Sequence, residues 1–444
     1  MKIFKRILLV FILIIAILVY FNYSKLNIIS GYASKYMASS INIGGHSSTY
    51  IIENDLAMPL IELTDTEFDT QERTAKASVY GLMTRKAVDR GGLGSVLVNN
   101  DYSEGEQYLQ PRRNFKKIDK PYPYGHLPKK DTVFENVDYD LLQKAVTLPF
   151  SNEAIQKTRT LLVLYKGHLL HESYIDGFDK NTPILGWSMS KSVLATCFGV
   201  LQKKGRLKVD WPAPIAEWKD DERRNITLNH LLRMQSGLEW NEDYGGISDV
   251  TKMLFLDSDM TKAQLDKMAI AKPTEIWNYS SGTTNLLSGI LRQQFRSHQE
   301  YLNFPYKSFI DKIGAHSMLI EADLKGNYVG SSYTWATTRD WARIGQLYLD
   351  NGKWNDEQLF DAEWIDYITT VTDLSNGTYG AHFWLNAEGK FPDVPKDLYS
   401  MNGFQGQYVF IIPSKDLVVV RTGLAEDPEF DINGFLSSLI IAIK

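Results

Sequence analysis

The chain has 444 residues, 44% of them hydrophobic and 23% charged, which excludes a wholly disordered or collagen-like polypeptide and leaves room for two or three domains or one large one with insertions. Forty-eight Lys and Arg against 53 Asp and Glu give a net charge of −5 with no basic block, which argues against a phosphate-tracking nucleic-acid protein. A single cysteine, Cys197, excludes an intrachain disulfide framework and a cysteine-based zinc cage.

Lys2, Lys5 and Arg6 precede an uncharged apolar run over residues 7–21. This is a positive region followed by an apolar one, of a length between a secretory core and a membrane span of about 20 residues. The first small-x-small site, Gly31-Tyr32-Ala33, comes about ten residues too late for cleavage, and no cysteine is present for lipid attachment. Residues 1–23 are therefore expected to be a signal-anchor, with a cleaved signal peptide or a buried core helix as alternatives. Either of the first two readings exports the body to the cell envelope, membrane-anchored if uncleaved, periplasmic or secreted if cleaved.

Residues 24–133 form an extension or arm without a readable period. The glycine run 91–94 lacks the Gly-Lys-Ser/Thr ending of a phosphate loop, and Pro121-Tyr122-Pro123-Tyr124-Gly125 reads as a linker. From residue 134 the signals sharpen. A short helix is expected over 141–146, and strands over 160–165 and 168–174 form a hairpin about Lys166-Gly167. Helical spacing recurs over 193–201, 228–234, 286–291 and 342–349. A second hairpin, 407–412 with 417–421, and a helical tail over 435–443 close the chain. Strands at both ends of a domain over 134–444, with helices between, predict an α+β fold. Its antiparallel sheet is built from both ends, flanked by helices, with a mostly helical region inserted.

Trp187-Ser188-Met189-Ser190-Lys191 opens an apolar helix and holds the chain's one serine with a lysine three residues on. That spacing puts both side chains on one helical face, and the helix start offers free N–H groups to a developing oxyanion. A lysine buried there loses basicity and can deprotonate the serine hydroxyl. The bland reading is an N-cap serine beside a solvated lysine. Tyr279, 91 residues after Ser188, sits in the polar loop Trp277-Asn278-Tyr279-Ser280-Ser281-Gly282 ahead of a helix expected near Thr284. It can relay protons with Ser281 as partner, or be an ordinary half-buried tyrosine. Asn402-Gly403-Phe404-Gln405-Gly406-Gln407 enters the last hairpin, where glycines permit close backbone approach to a ligand or simply make a bend.

In this order and spacing the three elements resemble the serine β-lactamase and penicillin-binding-protein superfamily. The likeness is nearer to its class C and esterase branch, which includes D,D-peptidases and 6-aminohexanoate-dimer hydrolases. Gly205-Arg206-Leu207-Lys208-Val209-Asp210-Trp211-Pro212, Leu231-Leu232-Arg233-Met234-Gln235-Ser236-Gly237-Leu238 and Asn351-Gly352-Lys353-Trp354 add to the likeness, which covers residues 134–444. The resemblance implies Ser188 as nucleophile, Lys191 as general base and Tyr279 as proton carrier. It implies the backbone N–H groups of Ser188 and Gln407 as oxyanion hole. Phe404-Gln405-Gly406 stands where the family's Lys-Thr-Gly would stand, so the cation and hydroxyl that hold a carboxylate are missing. That favours small ester or amide substrates over β-lactams or peptidoglycan peptides, and Ser281 in place of asparagine fits the same branch.

A Ser-His-Asp hydrolase is the rival chemistry, but Gly186-Trp187-Ser188-Met189-Ser190 ends in serine where a nucleophile elbow has glycine. His168 and His171, three apart on an expected strand, point to opposite faces, so no metal or cofactor is expected. Trp187 and Trp240, with Tyr244, Trp277 and Trp384, are candidates for an apolar substrate pocket as well as for core packing. The remaining alternatives are a D,D-peptidase or weak β-lactamase and a catalytically silent envelope binding or sensor protein.

Overall fold

A computed structural model describes residues 2–443. The expected sheet is present, with six antiparallel strands. β5 (Thr158–Tyr165) and β6 (His168–Tyr174) come from near the start of the 134–444 region. β7 (Trp384–Leu385), β8 (Tyr399–Gly403), β9 (Gln407–Ile412) and β10 (Leu417–Gly423) come from its end. The order is β7-β8-β9-β10-β5-β6, so β10 joins the two ends of the chain, pairing Val419 with Val163. Alternation along the strands sends side chains to two separate cores. Leu162, Leu164, Val409, Ile411, Val418 and Val420 face the large helical layer. Leu161, Val163, Phe410, Ile412, Leu417 and Val419 face the helices Tyr139–Thr147 and Ile432–Ile441, which bury Leu142, Leu436 and Leu439.

The helical layer centres on α2 (Met189–Lys203), in which thirteen of fifteen residues, Met189 through Leu201, are buried. A helix apolar on nearly every side has no solvent face to present and becomes the middle of the molecule. Cys197 is one of these buried residues, and burial pushes its thiol up, so it behaves as a small apolar side chain. α3 (Ser281–Gln293) and α4 (Thr338–Leu349) pack around α2 and the sheet. The helix expected near Thr284 begins three residues earlier because Ser280 caps it, accepting a bond from the N–H of Thr283 at 2.9 Å.

Residues 24–133, expected as an arm, are built into the body. α1 (Lys2–Asn42) runs from the apolar segment into the fold, and Ile29, Ala33, Met37 and Ala38 are buried. A four-stranded meander, β1 (Thr64–Asp69), β2 (Thr74–Val79), β3 (Leu82–Asp89) and β4 (Ser95–Leu97), wraps that half of α1. The apolar cluster so formed continues through Trp187, Trp240, Leu254, Phe255 and Trp335 of the later chain. Two buried ion pairs cross the same junction. Arg159 donates to both oxygens of Asp55 at 2.8 and 2.7 Å, and Lys35 lies 2.8 Å from Glu321. The expected linker 121–125 is likewise packed down, with Tyr122 buried and Arg343 donating to the carbonyls of Pro123 and Gly125.

The apolar run expected as an anchor lies in the first half of α1. Ile7, Leu8, Leu9, Val10, Phe11, Ile12, Leu13 and Ile14 are exposed, which sets aside the buried-core-helix alternative for these residues. Side chains 15, 16, 18, 19 and 21 of the run lie outside the described ones. Among the described residues no helix is long and apolar enough to cross a membrane.

Candidate active site

The nucleophile candidate is placed by a strained turn. Pro183–Leu185 pairs with Thr334–Thr337, and the chain then reverses through Gly186 and Trp187 into α2. Trp187 has φ of 48°, the left-handed region that a bulky side chain enters only when its surroundings hold it there. The restraint is aromatic. Tyr32 and Tyr36 of α1 stack on the Trp187 ring at 6.1 and 6.0 Å, and Phe404 meets it edge-on at 5.7 Å. Ser190 ties the turn down by donating to the Trp187 carbonyl at 2.7 Å and accepting from the N–H of Thr334 at 2.9 Å.

Ser188 follows at the N-cap position of α2, one turn before Lys191. Lys191 is 2% exposed and its Nζ donates to three oxygens: Ser188 Oγ at 3.1 Å, Ser281 Oγ at 3.0 Å and the Ser331 carbonyl at 3.0 Å. The bland reading of a solvated lysine therefore does not hold. Burial lowers its pKa to about 8, against the opposing pull of Glu242. The Tyr279 ring lies 4.8 Å from the same Nζ. Burial pushes the Tyr279 phenol up, partly offset by the neighbouring Ser188, so it is held protonated.

Glu242 is a member of the site that sequence reasoning missed. Its Oε1 accepts from Ser281 Oγ at 2.5 Å and from the Tyr244 hydroxyl at 3.0 Å. Its Oε2 accepts from the Ser281 N–H at 2.9 Å and from Trp240 Nε1 at 2.5 Å. A chain of bonds thus runs from Ser188 through Lys191 and Ser281 to a carboxylate. The one available signal was position: Glu242 lies between Trp240 and Tyr244, both singled out as pocket aromatics.

The third motif lies against the nucleophile turn. Gly403 pairs with Gln407 at the β8–β9 turn, and a Cβ on Gly403 would sit 2.1 Å from the carbonyl oxygen of Gly186. The strand turn reaches the Ser188 turn because residue 403 has no side chain. Of the expected substrate-binding residues, Trp187 and Phe404 line the cavity that opens on Ser188, while Ser281 lies behind Lys191. Trp240 stands between Gly282 and Glu242, outside that lining. Gln405 is turned away, its Nε2 3.1 Å from Met58 Sδ, and Gly406 is packed under the Ala425 carbonyl and Arg421. That packing and a φ of 79° require a glycine there. Among the other aromatics, Tyr244 lines the cavity, Trp384 lies 5.4 Å from the Tyr279 ring and Trp277 packs on Tyr379.

The rival chemistry finds no support in the geometry. Among the described residues no histidine is bonded to Ser188. The buried His382 is held by the Leu232 carbonyl at 2.7 Å and by Thr284 Oγ1 at 3.0 Å, and burial lowers its pKa to about 3. Among the described residues no cluster of His, Cys, Asp and Glu could hold a metal ion.

Comparison with known proteins gives the family and the fold. The beta-lactamase family model matches residues 154–430. A 6-aminohexanoate-dimer hydrolase of Paenarthrobacter ureafaciens is 23% identical over 318 residues, covering 64% of this chain and 78% of the relative. Among solved structures, a provisionally named 6-aminohexanoate-dimer hydrolase from Bacillus anthracis superposes with a TM-score of 0.55 at 22% identity, covering 65% of this chain and 79% of that one. A family VIII carboxylesterase superposes with a TM-score of 0.53 at 15% identity, over 71% of this chain and 99% of that one. At these identities the structures share the fold.

Proposed function

The chain belongs to the beta-lactamase family, and on that premise we propose that it is a serine hydrolase cleaving small esters or amides through an acyl-enzyme on Ser188. The observation that carries this reading is the 3.1 Å contact between Ser188 Oγ and the buried Lys191 Nζ. In its neutral form Lys191 takes the hydroxyl proton as Oγ attacks the carbonyl carbon. The C=O pair moves onto oxygen, where the N–H groups of Ser188 and Gln407 receive it. Collapse expels the alkoxide or amine, which leaves with a proton delivered through Tyr279. Water then repeats the sequence on the acyl-Ser188 ester and restores the serine. Ser281 and Glu242 hold Lys191 in line with Oγ. No catalytic metal or cofactor enters this scheme.

Two supports favour an ester or amide without an obligate carboxylate. Phe404 occupies the cavity wall where the β-lactamase motif has its lysine, and the proteins compared above include a carboxylesterase and a 6-aminohexanoate-dimer hydrolase. The test is a fluorophosphonate label followed by peptide mass spectrometry. Ser188 should carry the adduct, and S188A should lose turnover by several powers of ten with an unchanged unfolding transition. Label on another residue, or none on folded protein, would overturn the assignment.

We also infer that the exposed apolar face at residues 7–14, following Lys2, Lys5 and Arg6, attaches the exported protein to a lipid surface, the rest of the chain forming one hydrolase body. Deleting residues 1–23 should move the protein from the membrane to the soluble fraction. Retention in the membrane would refute this.

A further inference from the structure

The cavity above Ser188 has a volume of about 370 Å³, and a large part of its wall comes from residues outside the family match. Ile28 and Tyr32 of α1 and Met58 and Ile61 of the following segment line it, together with Leu254 and Phe255, whose ring meets that of Tyr32 at 5.7 Å. Among the described residues lining it, one is charged, Lys25, on the α1 side. The reacting end holds the Ser188 and Tyr244 hydroxyls. A polar reacting end, an apolar body and a lone cation describe a site for an amphiphile, not for a compact polar substrate.

We propose that residues 25–61 complete an acyl-chain pocket, and that the substrates are esters or amides of medium-chain fatty acyl groups. This rests on Ser188 being the acylated residue. The volume equals that of roughly twelve waters at about 30 Å³ each, enough for a chain of roughly eight to ten carbons. The acyl side is assigned to this pocket because the acyl group stays bonded to Ser188 after the leaving group has gone, so enclosure suits the retained part. Delivery follows from the same helix. Lys25 lies four residues beyond the end of the apolar run, about 6 Å along α1, so the pocket opens beside the segment that seeks lipid. The walls at Ile28 and Ile61 are half-buried and can be enlarged without entering the core.

The experiment compares p-nitrophenyl acetate, butyrate, octanoate and decanoate on the full chain in lipid nanodiscs, for wild type, I28W and I61W. Wild type should gain at least tenfold in kcat/KM from acetate to octanoate, since each buried methylene favours the longer ester. Either variant should lose that gain, with thermal unfolding as the control for folding. A flat or falling wild-type series with Ser188 still labelled by fluorophosphonate would overturn the pocket and leave the hydrolase reading intact. Binding of decanoate, followed by isothermal titration calorimetry, does not depend on turnover. It should be at least tenfold weaker in I61W, and equal binding by wild type and I61W would refute the pocket even if Ser188 proved inert.

Discussion

Glu242→Gln removes one negative charge from the bond chain behind the nucleophile while keeping the shape of the side chain. The amide can be accommodated. Its oxygen can face Trp240 Nε1 and the Ser281 N–H, and its NH2 the hydroxyls of Ser281 and Tyr244, which can reverse and accept. The path from Lys191 Nζ to the carboxylate is 3.0 Å to Ser281 Oγ and then 2.5 Å, so the charges lie within about 5.5 Å of each other. At an effective dielectric of about 20 this separation is worth about 3 kcal/mol, or roughly two pKa units. Glu242 is only half-buried, and screening by water brings the expected shift nearer one unit. The sign is fixed by the chemistry. The carboxylate stabilises the ammonium form of Lys191, so its loss lowers the pKa from about 8 toward about 7. More of the lysine is then neutral in acid, although each neutral lysine is a weaker base. The acid limb of the kcat/KM–pH profile should move down by about one unit. Activity at about pH 6 should rise roughly threefold, and the alkaline plateau should fall by a similar factor. The assay is initial-rate hydrolysis of a p-nitrophenyl ester from about pH 5.5 to 9.5, with thermal unfolding as the control for folding. An acid limb that stays in place, moves up, or scales uniformly at every pH would refute the assignment of Lys191 as the titrating base.

Gly403→Ala should disturb the site without touching a reacting group. The new methyl would lie 2.1 Å from the Gly186 carbonyl, forcing the β8–β9 turn off the nucleophile turn. We expect at least a tenfold loss in kcat with a fall of about 1–3 kcal/mol in urea stability, and unchanged kinetics would refute the close approach. Asp55→Ala strands the Arg159 guanidinium in the interior with no counter-charge. The cost should be about 3–5 kcal/mol in equilibrium unfolding, against less than about 1 kcal/mol if residues 24–133 were a loosely attached arm.

The parts legible in the sequence were those set by short-range geometry. Ser188 and Lys191 share a helical face by spacing, and the strands around Lys166-Gly167 and residues 413–416 alternate clearly enough to fix both hairpins and the sheet they build. Residues 24–133 stayed opaque because the buried face of α1 sets Ile29, Ala33 and Met37 among buried polar side chains, Ser30, Ser34, Lys35, Ser39 and Ser40, which blur the apolar stripe. Their ties to the body, Asp55 to Arg159 and Lys35 to Glu321, span 104 and 286 positions, far beyond any local pattern. Glu242 escaped for a related reason: its partners are brought together by a loop, and an acidic residue in a polar loop carries no distinguishing mark. The Gln405-Gly406 pair shows the opposite failure, since a glycine required by the Ala425 carbonyl looks in sequence like one required by a ligand.

The aromatic stack on Trp187 sets where this protein can be cut. A fragment beginning at residue 134 would contain Ser188, Lys191 and Tyr279 and would look complete by its motifs. It would nevertheless release Trp187 from Tyr32 and Tyr36, leaving its left-handed backbone unsupported one residue before the nucleophile. It would also bare Phe255 and Trp335 to water and strand two buried charges, Arg159 and Glu321. The smallest active unit therefore starts upstream of residue 28, and truncation for soluble expression belongs between the apolar run and Lys25.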